Sequence, residues 1–144
     1  MPDTLSRLLG GLQKNVSLKK YTTFRIGGKA AYFFTARTTK SIIQAVDVAK
    51  MLRIPFFILG GGSNLVVSDK GFAGLVIKIQ NTKYKIPRTR TSSVRGKQDT
   101  IIFAEAGVSM STLVRETGKK GLSGLEWAGG LPGSVGGAIR GNAG

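Results

Sequence analysis

The sequence predicts an α+β fold, and three observations carry that reading. Two stretches have helical apolar spacing, 38–52 and 110–120. Several short apolar, β-branched or aromatic runs lie around them, none long enough to be a helix of its own. Glycine clusters punctuate the runs, most densely at Gly60–Gly62 and after Gly121.

Taken in order, residues 1–15 read as a short amphipathic helix or ordered tail, with Leu5, Leu8, Leu9 and Leu12 at helical spacing. Tyr21–Arg25 and Ala30–Ala36 read as strands split by Gly27 and Gly28. Thr38–Leu52 reads as a helix with Ile42, Ile43, Val46, Ala49 and Leu52 on its apolar face. Ser41 and Gln44 have capping-box spacing, and Thr38 competes as the cap. Pro55 ends this region, because the residue before a proline is pushed out of the helical basin. The continuous apolar run Phe56–Leu59 predicts a buried strand. "NLVVSD" at 64–69, "GLVIKI" at 74–79 and "TIIFAEA" at 100–106 predict three more. Met110–Lys120 predicts a second helix, capped by Ser109 and stopped at Lys119, Lys120 and Gly121.

The last 24 residues hold nine of the 21 glycines, interrupted by Leu122, Leu125, Trp127, Leu131, Val135 and Ile139. Embedded hydrophobes argue for an ordered loop rather than a linker. The basic stretch 78–98 holds Lys78, Lys83, Lys85, Arg88, Arg90, Arg95 and Lys97 with no acid, and reads as a solvated loop between strands.

Composition narrows the chemistry. Cysteine and histidine are both absent. That excludes disulfides, thiolate chemistry, the usual zinc sites and histidine acid–base catalysis. No apolar run approaches the roughly 18 residues of a membrane helix, and the first residues lack a secretory pattern; a cytoplasmic address is expected. The net charge of +15 favours an anionic partner. Nucleic acid is the disfavoured candidate, since aromatic platforms are missing from the basic stretch apart from Tyr84.

The question is then why three glycines follow a well-built apolar run in "FFILGGGSNLVVSD". The dinucleotide fingerprint fails, because Leu65 stands where its third glycine would be and a strand pattern follows in place of a helix. The Walker pattern fails too, for no glycine run is followed by Gly-Lys-Ser/Thr. Two readings stay open on residue types alone: a tight turn, or a loop whose N–H groups approach an anion. Ser63 and Asn64 would add side-chain donors. Gly133, Ser134, Gly136 and Gly137, then Asn142 and Gly144, read as a second surface poor in side chains, although taken alone this segment reads as tight packing of loops. Two such surfaces suit a ligand with an extended anionic middle.

"YTTFRIGGKA", "ILGGGSNLVVSDKGFAGLVI" and "GLSGLEWAGGLPGSVGGAIRGNAG" resemble, in order and spacing, three signature blocks of the UDP-N-acetylenolpyruvoylglucosamine reductases. The resemblance runs from about Asn15 to Gly144 and omits the 78–98 stretch, which looks like a variable insertion. It implies an FAD-binding fold of the vanillyl-alcohol-oxidase type, built of two small α+β subdomains with FAD between them. Residues 16–144 would be that domain, incomplete at its C-terminal end and without the substrate domain. Gly60, Gly61, Gly62, Ser63 and Asn64 would wrap the FAD pyrophosphate, Leu65 would also belong to the cofactor site, and Arg25, Ile26 and Gly27 would line the cleft. Leu131, Pro132, Gly133, Ser134, Gly136, Gly137, Ala138 and Asn142 would approach the pyrophosphate and flavin.

The reaction implied is reduction of UDP-N-acetylglucosamine enolpyruvate, a UDP-sugar, by NADPH through FAD in peptidoglycan precursor synthesis, by a protein expected to be a monomer. The family's proton-donating serine, assisting glutamate and polarising arginine belong to later blocks. No catalytic residue is therefore assigned, and Ser63, Ser68 and Ser134 are not put in those roles. The 144-residue chain alone is expected to lack reductase activity. Glu105 and Glu126 read as structural, and Trp127 as core or cleft wall. Two alternatives remain: another flavin oxidase of the same fold, or a basic module that binds an anion or nucleic acid without catalysis. The first is disfavoured by "TTFRIGG" and "GNAG" and by the lack of a histidine for covalent flavin attachment.

Overall fold

The computed structural model describes residues 2–87, 92–94 and 97–143. Two units divide the chain, Met1–Asn81 and Thr82–Gly144.

The first unit is built on a four-stranded sheet. Helix α1 (Pro2–Leu8) leads into β1 (Gln13–Ser17), a 3-10 turn (Leu18–Tyr21), β2 (Lys29–Ala36), α2 (Thr39–Met51), β3 (Phe56–Leu59) and β4 (Phe72–Ile79). The strand order is β1-β2-β4-β3. β1 runs antiparallel to β2, whereas β4 pairs in parallel with both β2 and β3.

Alternation along the strands divides the core between the two sheet faces. Phe34, Ala36, Leu75, Ile77 and Ile79 pack under α1 and α2, with Leu5, Leu9, Ala45, Val48 and Ala49. Leu5 and Leu9 are fully buried, stabilising the unit by about 1.5–3 kcal/mol each. The opposite face carries a smaller cluster of Leu18, Ala30, Phe33, Leu59 and Val76. The register shifts between Ala30 and Tyr32, so these two residues serve opposite faces despite their even spacing.

Several expectations are corrected. The segment Tyr21–Arg25 is a 3-10 turn and bend, not a strand, because Arg25 adopts φ 54° and its N–H bonds back to the Thr22 carbonyl at 3.2 Å. Residues 64–69 form no strand either; they lie between turns at 63–64 and 69–70 as an irregular connection ahead of β4. β1 occupies residues expected to end the N-terminal tail or open the following domain. β3 is an edge strand rather than a buried one, with Phe57 41% and Ile58 47% exposed. The cap of α2 is Thr38, whose box is closed by Ser41 instead of a glutamine. Gln44 instead reaches α1, donating Nε2–H to the Leu8 carbonyl at 2.9 Å. Of the face expected for α2, Ala49 is buried and Ile42, Val46 and Leu52 pack partly buried on the core, joined by Ala45 and Val48; Ile43 alone points outward.

The second unit contains β5 (Tyr84–Lys85), β6 (Ser92–Val94), β7 (Lys97–Asp99), β8 (Phe103–Ala104), α3 (Met110–Lys119), a 3-10 turn (Glu126–Ala128) and α4 (Val135–Arg140). β5 pairs with β8, and β6 with β7, each antiparallel. The 100–106 strand is thus reduced to two residues. The 78–98 stretch begins inside β4 and contains three short strands, so it is not a simple loop; Arg88, Arg90 and Arg95 lie outside the described residues. Ser109 caps α3 as expected, accepting from the Thr112 N–H at 3.1 Å. Gly121 follows it with φ +65°. Gly118 is exposed inside α3 with open space where a Cβ would go. Gly118→Ala is expected to raise stability by about 0.5–1 kcal/mol, since alanine loses less backbone entropy in a helix. A chemical-denaturation midpoint that fell would contradict this.

Candidate functional site

In the first unit the glycine turn is clamped against the bend that follows the 3-10 turn. The Thr23 N–H donates to the Gly62 carbonyl at 3.1 Å. Gly62 has φ +71°, and a Cβ there would lie 1.8 Å from the Tyr21 carbonyl oxygen. Glycine is required on both counts. On the other side Lys78, on β4, donates its Nζ–H to the Gly60 carbonyl. Two carbonyl oxygens of the turn are therefore bound to donors of the fold. An anion-binding turn requires its carbonyl dipoles to be directed elsewhere in this way.

Beside the turn lies a hollow of about 350 Å³, lined by Lys20, Tyr21, Thr22, Thr23, Arg25, Gly61 and Lys78. Three of these are cations. Among the described residues the ion pairs are those of Glu116 with Arg115 and Lys119, so no described carboxylate neutralises the hollow. Burial lowers the pKa of Lys78 from the ordinary lysine value. Desolvation disfavours its charged form, and an anion in the hollow would offset that cost. Three cations around a turn without side chains form a donor set that fits a pyrophosphate.

Of the residues expected here, Arg25 and Gly61 line the hollow, while Gly60 and Gly62 are bonded to its walls. Ser63 and Asn64 form the following turn. Leu65 lies instead in a separate apolar pocket of about 180 Å³, with Leu18, Leu59, Val67 and Phe72. Ile26 is exposed, and Gly27 packs against Val67, where a Cβ would meet the valine side chain at 2.6 Å. Neither lines the hollow. Lys20 and Lys78 were not expected in the site. The signal for Lys78 is a lysine within the apolar alternation of "GLVIKI".

The second group belongs to the other unit. Gly133–Ala138 is not a loop throughout, for α4 begins at Val135 with Ser134 as its cap. Ser134 Oγ accepts the Gly137 N–H at 3.3 Å. The Val135 N–H donates to Val108 at 2.8 Å, and the Gly136 N–H to Ala106 at 2.9 Å. A Cβ on Gly136 would lie 2.8 Å from that of Ala106, so the glycine allows close packing of α4 on this segment. These N–H groups are therefore used inside the unit, which reduces the donor-rich surface expected from the sequence. Leu131, Pro132 and Ala138 flank the cap, and Asn142 follows α4 with φ 49°. Arg25 and Asn142 are two of the four described non-glycine residues with positive φ, a conformation that costs about 1–3 kcal/mol and recurs at binding sites.

Glu105 accepts the Lys83 N–H at 2.8 Å, and Glu126 the Gly124 N–H at 2.6 Å. Hydrogen bonds from its own N–H and that of Gly124 hold the Glu126 carboxyl below its usual range. Glu105 thus ties its segment to the one that leads into β5, and Glu126 braces its own loop. Trp127 is 57% exposed and not a core residue. Among the described residues no acidic, histidine or cysteine cluster could hold a metal, and no helix is long and apolar enough to cross a membrane.

The description of an FAD binding domain matches residues 30–144, and the chain belongs to that family. It is 40% identical over 144 residues to a UDP-N-acetylenolpyruvoylglucosamine reductase of Synechococcus sp. (strain JA-3-3Ab), covering 98% of this chain and 42% of that protein. It is 44% identical over 133 residues to the reductase of the same name from Acaryochloris marina, covering 92% and 41%. Among solved structures it resembles UDP-N-acetylenolpyruvylglucosamine reductase from Thermus caldophilus, with TM-score 0.60 and 32% identity over 89% of this chain and 41% of that one. The chain thus spans about two fifths of the length of these relatives.

Proposed function

We propose that this chain holds FAD for an NADPH-dependent reduction of UDP-N-acetylglucosamine enolpyruvate to UDP-N-acetylmuramate. The observation that carries the reading is the cationic hollow at the Gly60–Gly62 turn, in a chain about 40% identical to reductases of that name. Arg25, Lys20 and Lys78 would neutralise the pyrophosphate, and the turn from Gly60 to Asn64 would admit it at close range. Ile26, Gly27 and Leu65 would form nearby apolar and backbone surface. In the second unit Leu131, Pro132, Gly133, Ser134, Gly136, Gly137, Ala138 and Asn142 are read as cofactor-binding by the family likeness alone, since the Gly136 and Gly137 N–H groups are bonded within that unit. FAD, when bound, supplies hydride transfer between a nicotinamide and a carbon–carbon double bond. This chain's residues bind and orient; none is assigned to proton transfer. The working protein is read as a cytoplasmic monomer.

Titration of the purified chain with FAD, followed by flavin fluorescence, tests this reading. Saturable one-to-one binding that weakens only modestly with added salt is the expected result. Binding to an oligonucleotide that collapses with salt, with no flavin bound, would replace it by a basic nucleic-acid module.

A further inference from the structure

Lys78 occupies an unusual place for a lysine. It lies between Ile77 and Ile79 on an apolar strand, with β2 on one side and β3 on the other; its register partners are Thr35 and Leu59. Strand alternation puts it on the same face as Val76, which is in the smaller core cluster. A lysine that served solubility alone would have no reason to stand at the centre of the sheet. Its flexible stem instead carries the ammonium past the end of β3, where Leu59 gives way to the glycine turn. There it donates to the Gly60 carbonyl and lines the hollow with Lys20, Tyr21 and Arg25. Its described hydrogen-bond partner is thus a neutral carbonyl, while the charged groups that share its hollow are cations. A half-buried ammonium in such surroundings is completed by an anion.

We propose that Lys78 is a positioning residue of the cofactor site: it fixes the Gly60 carbonyl, and through it the turn, while placing positive charge where the cofactor's pyrophosphate binds. This rests on the FAD reading above. Both roles act on the phosphate-bearing part of the ligand and not on the isoalloxazine ring, which separates them from a general contribution to folding.

The test is titration of the wild-type chain, Lys78→Met and Lys78→Arg with FAD and with riboflavin, which has the ring but no phosphate. Lys78→Met is expected to weaken FAD binding roughly 10- to 100-fold, to leave riboflavin binding unchanged, and to keep the wild-type far-UV circular dichroism. Lys78→Arg, which retains charge and donor, should recover most of the FAD affinity. If Lys78→Met does not fold, Lys78→Gln takes its place, removing the charge while keeping an N–H donor. Equal losses for both ligands, or unchanged FAD affinity in a folded variant, would overturn this inference and leave the FAD reading standing. A wild-type chain that binds no FAD would overturn both.

Discussion

Gly62→Ala is expected to destabilise the first unit by about 3 kcal/mol and to abolish FAD binding. Two costs combine. An alanine at φ +71° pays roughly 1–2 kcal/mol for the left-handed conformation. Its methyl group would also lie 1.8 Å from the Tyr21 carbonyl oxygen, a backbone atom that cannot rotate away. The turn must shift, and such overpacking costs typically 1–3 kcal/mol more. The shift would break the Thr23–Gly62 hydrogen bond and open the wall of the hollow. Denaturation with and without FAD checks both effects. An unchanged midpoint with unchanged FAD affinity would show that the turn is not clamped in this way.

Phe33→Ala is expected to cost about 3–5 kcal/mol, the largest loss from any single side chain in the smaller core cluster. Phe33 is fully buried and stacks on Tyr21 with ring centroids 4.6 Å apart. That stack contributes about 0.5–1.5 kcal/mol beyond the area buried. Stabilities of small domains are about 5–15 kcal/mol, so the variant would lose a large share of its margin. Tyr21 also supplies the carbonyl against which Gly62 packs. FAD affinity should therefore fall with stability in Phe33→Ala, whereas Phe33→Leu should retain most of both. A Phe33→Ala variant of wild-type stability would remove the core–turn–site connection.

The helices were the most legible elements. α2 and α3 announce themselves through apolar spacing and through Thr38 and Ser109, which act locally. Strands were less legible because their fate depends on partners far along the chain. Residues 21–25 and 64–69 have strand-like composition, but the first contains the positive-φ residue Arg25 and the second is an irregular connection between two turns. Conversely, "QKNVS" carries little strand signal and becomes β1 because β2 offers it an open edge. α4 was hidden by its two glycines, Gly136 and Gly137, both in its first turn. The need for glycine in this turn was legible, and at Gly62 the structure shows its reason to be the Tyr21 carbonyl packed against it. Lys20 and Lys78 were not, because membership of the hollow depends on how β4 and the 3-10 turn are brought together.

The strand order has a consequence for the birth of this protein. The parallel centre of the sheet, β4, is made last in its unit, after both neighbours. While the ribosome is extending the chain towards Ile79, β2 and β3 have no partner between them, and the strand edges that β4 will take stand open. Only α1, α2 and the β1–β2 hairpin can form from local sequence during that interval. The sheet then closes across roughly 40 residues of intervening chain, a non-local step that is slow compared with helix formation. The nascent chain is thus most exposed to aggregation and to chaperone capture just before β4 emerges.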